Sequence, residues 1–327
     1  MKKTFIINII TVILLLLTIE GILRMFGNLT PLGLSEGVIN NKSYEPNFNN
    51  NNVKNLKVFG KKVYTDSEGF RISGKKTNYQ DRDKIIYFVG GSVTFGSGVT
   101  YEDTFVGILN SKSNNIFHIN SGVIGSNIKN NYFILKNKII DKNSEKIYVN
   151  FSLDDLIMTS LINDEKADRR NNLTILEKLK KIELFVWLNN LLRSKSVTYV
   201  YIKGFALDVP KSYYLQTIKY YKLKKNIEFM KEYLGKIEKI NSKNDNKIVF
   251  LLIPYSHQIN NENCLIDDFA ENIIKNELNN RNLQYINFKT IFCKNESKKK
   301  IFFTNDPSHL SPYGNNIVAR HLSDINR

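Results

Sequence analysis

Ile85-Ile-Tyr-Phe-Val-Gly-Gly-Ser-Val-Thr-Phe-Gly96 is the stretch on which the fold turns. Five apolar residues, rich in β-formers, give way at once to two glycines and a serine, and a helical pattern opens near Glu102. That hand-off reads as a buried strand entering a tight turn, since glycine lets a backbone bend sharply and lets a substrate come close. In an open α/β sheet ligands bind beyond the carboxyl ends of the strands, where Ser92 would then sit.

Outward from this point the alternation continues. Short β-branched or aromatic runs at Ile116–Asn120, Ile147–Phe151, Ile248–Ile253 and Gln284–Phe288 read as further strands. Glu102–Leu109, Asn130–Ile140, Glu262–Asn279 and Pro312–Leu322 have the spacing of helices that bury one face on a sheet. The order predicts an α/β fold with a central parallel sheet of about five strands between helical layers. Residues about 165 to 245 interrupt it with two longer helical stretches, Leu173–Leu192 and Tyr213–Ile240, which read as a helical insertion. Trp187 and the tyrosines of that insertion fit a carbohydrate- or lipid-facing surface and fit core packing equally.

The amino-terminal segment is of another kind. Lys2 and Lys3 precede an apolar run from Phe5 to Ile19, too unbroken for an amphipathic surface helix. With Ile22, Leu23 and Phe26 it reaches the length of a membrane span, and Glu20 and Arg24, four apart, can pair near its far end. No small-residue cleavage site follows, so residues 1–27 read as an uncleaved anchor, and the two lysines favour a cytoplasmic amino terminus with the rest outside. Residues 28–63, with Asn, Pro, Gly and Ser clusters, read as linker and lead-in, and 64–327 as the folded domain.

Of 327 residues, 42% are hydrophobic and 24% charged, the composition of a folded protein with one main core. The net charge of +16 comes from lysines dispersed among asparagines and isoleucines. No nucleic-acid partner is expected from that dispersal, whereas attraction to anionic lipid or acidic glycan is compatible with it. Cys264 and Cys293 are too few for a zinc site and leave two readings open, a single bridge or two thiols. Four histidines without clustered spacing predict no metal, and no cofactor is expected.

Asp306-Pro-Ser-His309 precedes a helix that opens at Pro312. An Asp and a His three apart let the carboxylate hold the imidazole in the tautomer that accepts a serine proton. With Gly90-Gly-Ser92 at the first strand, the pair outlines a nucleophile, a base and its orienting acid.

The chain resembles the SGNH (GDSL-like) hydrolase family, in its membrane-anchored bacterial form, over residues 64 to 325. Tyr64-Thr-Asp-Ser-Glu-Gly-Phe-Arg71 resembles the lead-in, Gly90-Gly-Ser-Val-Thr-Phe-Gly96 the first block and Asn120-Ser-Gly-Val-Ile-Gly125 the second. Phe151-Ser-Leu-Asp-Asp155 and Asp306-Pro-Ser-His309 resemble the third and last. The resemblance implies a flavodoxin-like three-layer sandwich. It implies Ser92 as nucleophile, His309 as general base and then acid, and Asp306 as the residue that orients His309. The oxyanion hole would be the Ser92 and Gly125 N–H groups, with Gly122 as second candidate for the latter. Two positions depart from the pattern. Gly91 stands where an acid is usual, and Asp154 falls where an asparagine amide completes the oxyanion hole, unless Asn150 on the same strand takes that place. An ionised carboxylate at 154 would repel a developing oxyanion. His257 reads as a pocket or structural histidine, and His118 and His321 as packing residues.

These features predict a serine esterase acting on acyl, above all O-acetyl, esters of a cell-envelope polysaccharide or lipid. An O-acyltransferase with the same residues and an inactive glycan-binding module are the alternatives.

Overall fold

The computed structural model describes residues 2–26, 39–40, 48–75, 84–157, 183–245, 247–260, 264 and 268–326. The chain opens with helix α1 (Lys2–Phe26), followed by the short antiparallel pair β1 (Ile39–Asn40) and β2 (Phe48–Asn49). Strands β3 (Leu56–Val58), β4 (Lys61–Thr65) and β5 (Arg71–Ile72) lead into β6 (Lys84–Gly90), helices α2 (Ser92–Phe95) and α3 (Phe105–Lys112), and β7 (Ile116–Gly122). Helix α4 (Ile128–Ile134) runs on through one π turn to Ile139 and is followed by β8 (Lys146–Phe151). Next come α5 (Glu183–Lys195), α6 (Val197–Leu207), α7 (Val209–Tyr220) and α8 (Lys224–Ser242). Strand β9 (Ile248–Leu252), α9 (Phe269–Asn280), β10 (Gln284–Asn287), α10 (Phe288–Cys293) and α11 (Pro312–Ile325) complete the chain.

One sheet organises these elements, in the order β10-β9-β8-β6-β7-β5-β4-β3. The five strands from β10 to β7 are parallel. Numbered along the chain, they run 2-1-3-4-5, the flavodoxin-like order, whose direction of winding reverses between β6 and β8. Alternate residues of each strand serve two cores. Tyr87, Val89, Val149 and Phe250 face one with α4, α8 and α9, while Ile86, Phe88, Tyr148 and Leu251 face the other with α3, α10 and α11. Both faces are covered, which is why the strands are apolar throughout and the molecule has three layers.

The expected strands and α/β class are therefore borne out, with corrections at the edges. Among the described residues the sheet has eight strands, because β5, β4 and β3 extend it antiparallel beyond β7. The last part of the presumed linker is thus built into the sheet: Val58 and Val63 are buried against Phe95, and those apolar residues decide the matter over the surrounding Asn and Gly. The stretch Tyr213–Ile240 is two helices, broken where the buried Tyr221 hydroxyl donates to the Leu153 carbonyl at 2.9 Å. Helix α6, whose β-branched and aromatic residues give no helical signal, was not anticipated. Residues 173–182 of the expected helix Leu173–Leu192, and parts of 28–47 and 261–267, lie outside the described residues. Cys264 and Cys293 are joined in a disulfide, with Cα atoms 5.7 Å apart.

Arg71 fastens the sheet extension to the turn after β6. Its guanidinium, fully buried, donates to the carbonyls of Phe95, Gly96 and Val99, the latter two at 2.7 Å, and lies 4.7 Å above the Phe95 ring. Burial lowers its pKa to about 10, so the group is still cationic at neutral pH. Arg71→Met is expected to leave those carbonyls unpaired and to cost about 3 kcal/mol or more. Chemical denaturation of the detergent-solubilised chain measures it, and a loss under about 1 kcal/mol would refute the role.

Candidate active site

Ser92 is the first residue of α2, two positions beyond β6. The turn before it needs glycine at 90, where φ is +154° and a Cβ would stand 2.4 Å from Thr94 Oγ1 and 2.9 Å from Asn150 Cβ. As the opening residue of a helix, Ser92 has a backbone N–H with no intrahelical acceptor. Its hydroxyl lies 2.9 Å from His309 Nε2, across 217 positions of chain.

His309 is carried on a loop closed by hydrogen bonds on three sides. Phe303 N–H donates to the His309 carbonyl at 3.1 Å, and Asp306 N–H to that of Phe303 at 3.1 Å. Ser256, just after β9, donates its N–H to Pro307 O and its hydroxyl to Asp306 O, both at 2.8 Å. The buried Asp306 carboxylate accepts the N–H groups of Ser308 at 2.9 Å and His309 at 2.7 Å, and stands 2.9 Å from His309 Nδ1. With Nδ1–H directed at Asp306, Nε2 is the nitrogen left to accept from Ser92.

The electrostatics follow from this packing. Burial disfavours the Asp306 anion, but the His309 ring and the two backbone donors outweigh it and its pKa falls below the ordinary carboxylate value. Burial also disfavours the His309 cation, but Asp306, and then the charge of Asp154, outweigh it and raise the pKa above 6.5.

Asp154 and Asp155 follow β8, across the point where the sheet order reverses. Asp154 accepts the Tyr213 hydroxyl of α7 at 3.1 Å, and its charge, with burial, pushes the Tyr213 phenol upward. The insertion thus reaches the site through Tyr213, whose ring packs 5.4 Å from that of Tyr255. Asp155 is buried and accepts Ser152 N–H at 3.0 Å. Burial, then the neighbouring Asp154 charge, pushes the Asp155 carboxyl well above its ordinary range.

The other sequence candidates separate. Gly125 adopts φ +72° beside open space, and its N–H has no hydrogen-bond partner among the described residues. Gly122 N–H is taken by the Asn120 side chain at 3.1 Å, and a Cβ there would sit 2.3 Å from Phe95 N, so Gly122 is a packing glycine. Asn150 is buried below Gly90, and its amide group has no partner among the described residues. His257 packs on Tyr214 with rings 5.0 Å apart, His118 on Phe88 and His321 on Phe288, all apart from the Ser92–His309 pair. Burial lowers the pKa of His257.

Two neighbours of the site were not anticipated. Phe59, at the tip of the β3–β4 hairpin, places its ring 5.7 Å from that of His309. Its φ of +47° and that of Gly60, +76°, make the two-residue turn that matches strand twist, at a conformation uncommon for phenylalanine. The second is Arg71, which supports the turn bearing Ser92. Its place at the end of the Tyr64–Arg71 lead-in is the one sequence signal that could have singled it out.

No family model matches the chain, and no curated protein matches it. Among solved structures, a lipolytic protein of the G-D-S-L family from Veillonella parvula aligns at 13% identity over 74% of this chain and 97% of its own, with TM-score 0.42. A lipase/acylhydrolase from Enterococcus faecalis aligns at 11% identity over 74% and 96%, with TM-score 0.41. The acetylxylan esterase Axe2 from Geobacillus stearothermophilus aligns at 10% identity over 74% and 93%, with TM-score 0.41.

Because the base must be neutral to accept a proton, labelling of Ser92 by a fluorophosphonate should rise with pH through a midpoint above 6.5. Asp154→Asn removes one source of the upward shift and should move that midpoint down. A midpoint that stays in place would disconnect Asp154 from His309. Asp306→Asn should slow labelling by about 10³–10⁴-fold by stranding the wrong tautomer.

Proposed function

We propose that this chain is a membrane-anchored serine esterase of the SGNH type, cleaving acyl esters, above all O-acetyl groups, on a cell-envelope glycan or lipid. The observation that carries this reading is the unbroken line from Ser92 Oγ to His309 to Asp306, with 2.9 Å at each step. It stands beyond the carboxyl ends of parallel strands, where such sheets take their ligands.

In the proposed reaction Ser92 Oγ attacks the ester carbonyl carbon while its proton passes to His309 Nε2. The carbonyl oxygen becomes an oxyanion facing the Ser92 and Gly125 N–H groups, each well-placed donor lowering the barrier by about 3–4 kcal/mol. Collapse of the intermediate breaks the bond to the alcohol, which leaves with the proton from His309. Water then gives a proton to His309 as it attacks the acyl-serine, and the acid leaves as that proton passes from His309 to Ser92 Oγ. Asp306 holds the ring and favours its cationic form throughout. Asp154 departs from the amide expected at its place, and its hydrogen bond from Tyr213 occupies one carboxylate oxygen.

Helix α1 is 25 residues long, with a membrane-length apolar segment at Lys3–Met25 and exposed apolar side chains such as Leu17 and Met25. A helix of this kind serves as an anchor or a signal sequence, and the anchor is the reading adopted, with 1–27 as the anchor segment and the catalytic domain outside. The Cys264–Cys293 bridge supports an extracytoplasmic, oxidising location. An acyl-serine could equally be resolved by a sugar hydroxyl, and the O-acyltransferase reading is separated by asking whether added glycan is acylated faster than free acid appears.

Ser92→Ala should reduce turnover of short acyl esters to background while the melting temperature stays within a few degrees; unchanged turnover would end the proposal. Asp154→Asn should raise turnover, by up to about 10²-fold where its amide meets the oxyanion.

A further inference from the structure

Helices α5 and α6 turn an apolar face outward. On α5, Leu184, Trp187, Leu188 and Leu191 fall at helical spacing on one stripe, with Leu184 exposed to 70% and Trp187 to 59%. Phe185, beside that stripe, and Ile202 on α6 are exposed as well. Elsewhere beyond α1, among the described residues, the exposed large apolar side chains are scattered, as on ordinary soluble proteins. An amphipathic helix with its apolar stripe outermost requires an apolar neighbour.

The identity of that neighbour is argued from α1. Glu20 caps the start of α6, accepting Ser196 Oγ–H at 2.9 Å, Val197 N–H at 2.9 Å and Thr198 N–H at 2.8 Å. Arg24 pairs with Glu20 at 2.7 Å and donates to the carbonyl of Lys195, the last residue of α5. The corner between α5 and α6 is therefore bolted to the last turns of α1. From Lys2 to Glu20 a helix rises about 27 Å, close to the thickness of a bilayer's hydrocarbon layer, about 30 Å. Glu20 and the corner it caps then lie at the far interface, the level that tryptophan and amphipathic helices occupy. A cavity of about 670 Å³ lined in part by Arg24, with Lys61, Lys299 and Lys300 against the single acid Asp103, carries a net positive charge that complements anionic headgroups.

We infer that the outward face of α5 and α6 is a second membrane contact, lying in the outer-leaflet interface and fixed there by the Glu20 cap. It goes beyond the esterase reading and rests on the anchor reading of α1. The contact sets the height of the active site. Gly204 of α6 packs so closely on Asn305 that a Cβ would come within 2.5 Å of the Asn305 amide, and Asn305 adjoins Asp306. The loop that bears His309 is thereby held beside the bilayer, where esters on lipids or surface-bound polymers are presented.

Trp187 is the sole tryptophan of the chain, so its fluorescence reports on this face alone. The full chain is reconstituted in phosphatidylcholine–phosphatidylglycerol vesicles, brominated either high on the acyl chains or near their ends. Trp187 should lose roughly half its emission to the shallow bromines, less to the deep ones, and little to aqueous iodide, as for a helix sunk at the headgroup boundary. Glu20→Ala should weaken bromine quenching and open Trp187 to iodide while the chain still resists alkaline carbonate extraction; unchanged values would remove the cap from the argument. Iodide access with no bromine quenching, in a chain that resists extraction, overturns the contact and leaves the anchor standing. Shielding from both quenchers that varies with protein density would mean that a second copy covers the face and would equally overturn it. Release of the wild-type chain by carbonate would end the anchor reading and the contact together.

Discussion

A parallel sheet buried on both faces leaves its chemistry only one place to go. Its side chains are committed alternately to two apolar cores, so polar groups collect at the strand ends, and the winding reversal between β6 and β8 opens a crevice there. Ser92 follows one of these strands and Asp154 the other. The loop after β9 ties down the third participant by holding Asp306 and Pro307 from Ser256. Backbone topology, more than any single contact, brings these groups to one edge.

Position alone does not set protonation. Asp306 is buried yet anionic because two N–H groups and the His309 ring replace the water it gave up. His309 carries a raised pKa because that carboxylate, helped by Asp154, counters burial. Asp154 is the unusual member. Its charge acts on His309, Tyr213, Tyr255 and Asp155, so one side chain just after β8 bears on the electrostatics of all these groups.

Support for the crevice comes from both ends of the chain order. Arg71 and Phe59 reach it from the antiparallel extension, Tyr213 from the helical insertion, and Asn305 links it through Gly204 to the helices capped by Glu20. Each of these is a peripheral element with a direct line to the site, so changes far from Ser92 can be felt there through packing.

The sequence by itself determined the five parallel strands and the residue types of the site. Continuous apolar runs and turn glycines act over a few residues, and an Asp and His three apart can meet on one turn. It also marked α1 as a helix long and apolar enough to cross a membrane. Only the tertiary structure decided the antiparallel extension through β3, the break at Tyr221, and the work of Arg71, Phe59 and Glu20. It also chose Gly125 over Gly122 as the open N–H. The physical reason is distance along the chain. Arg71 meets carbonyls 24 to 28 residues away and Glu20 meets donors 176 to 178 residues away. No local periodicity encodes such partners, because they come into being only when the layers pack.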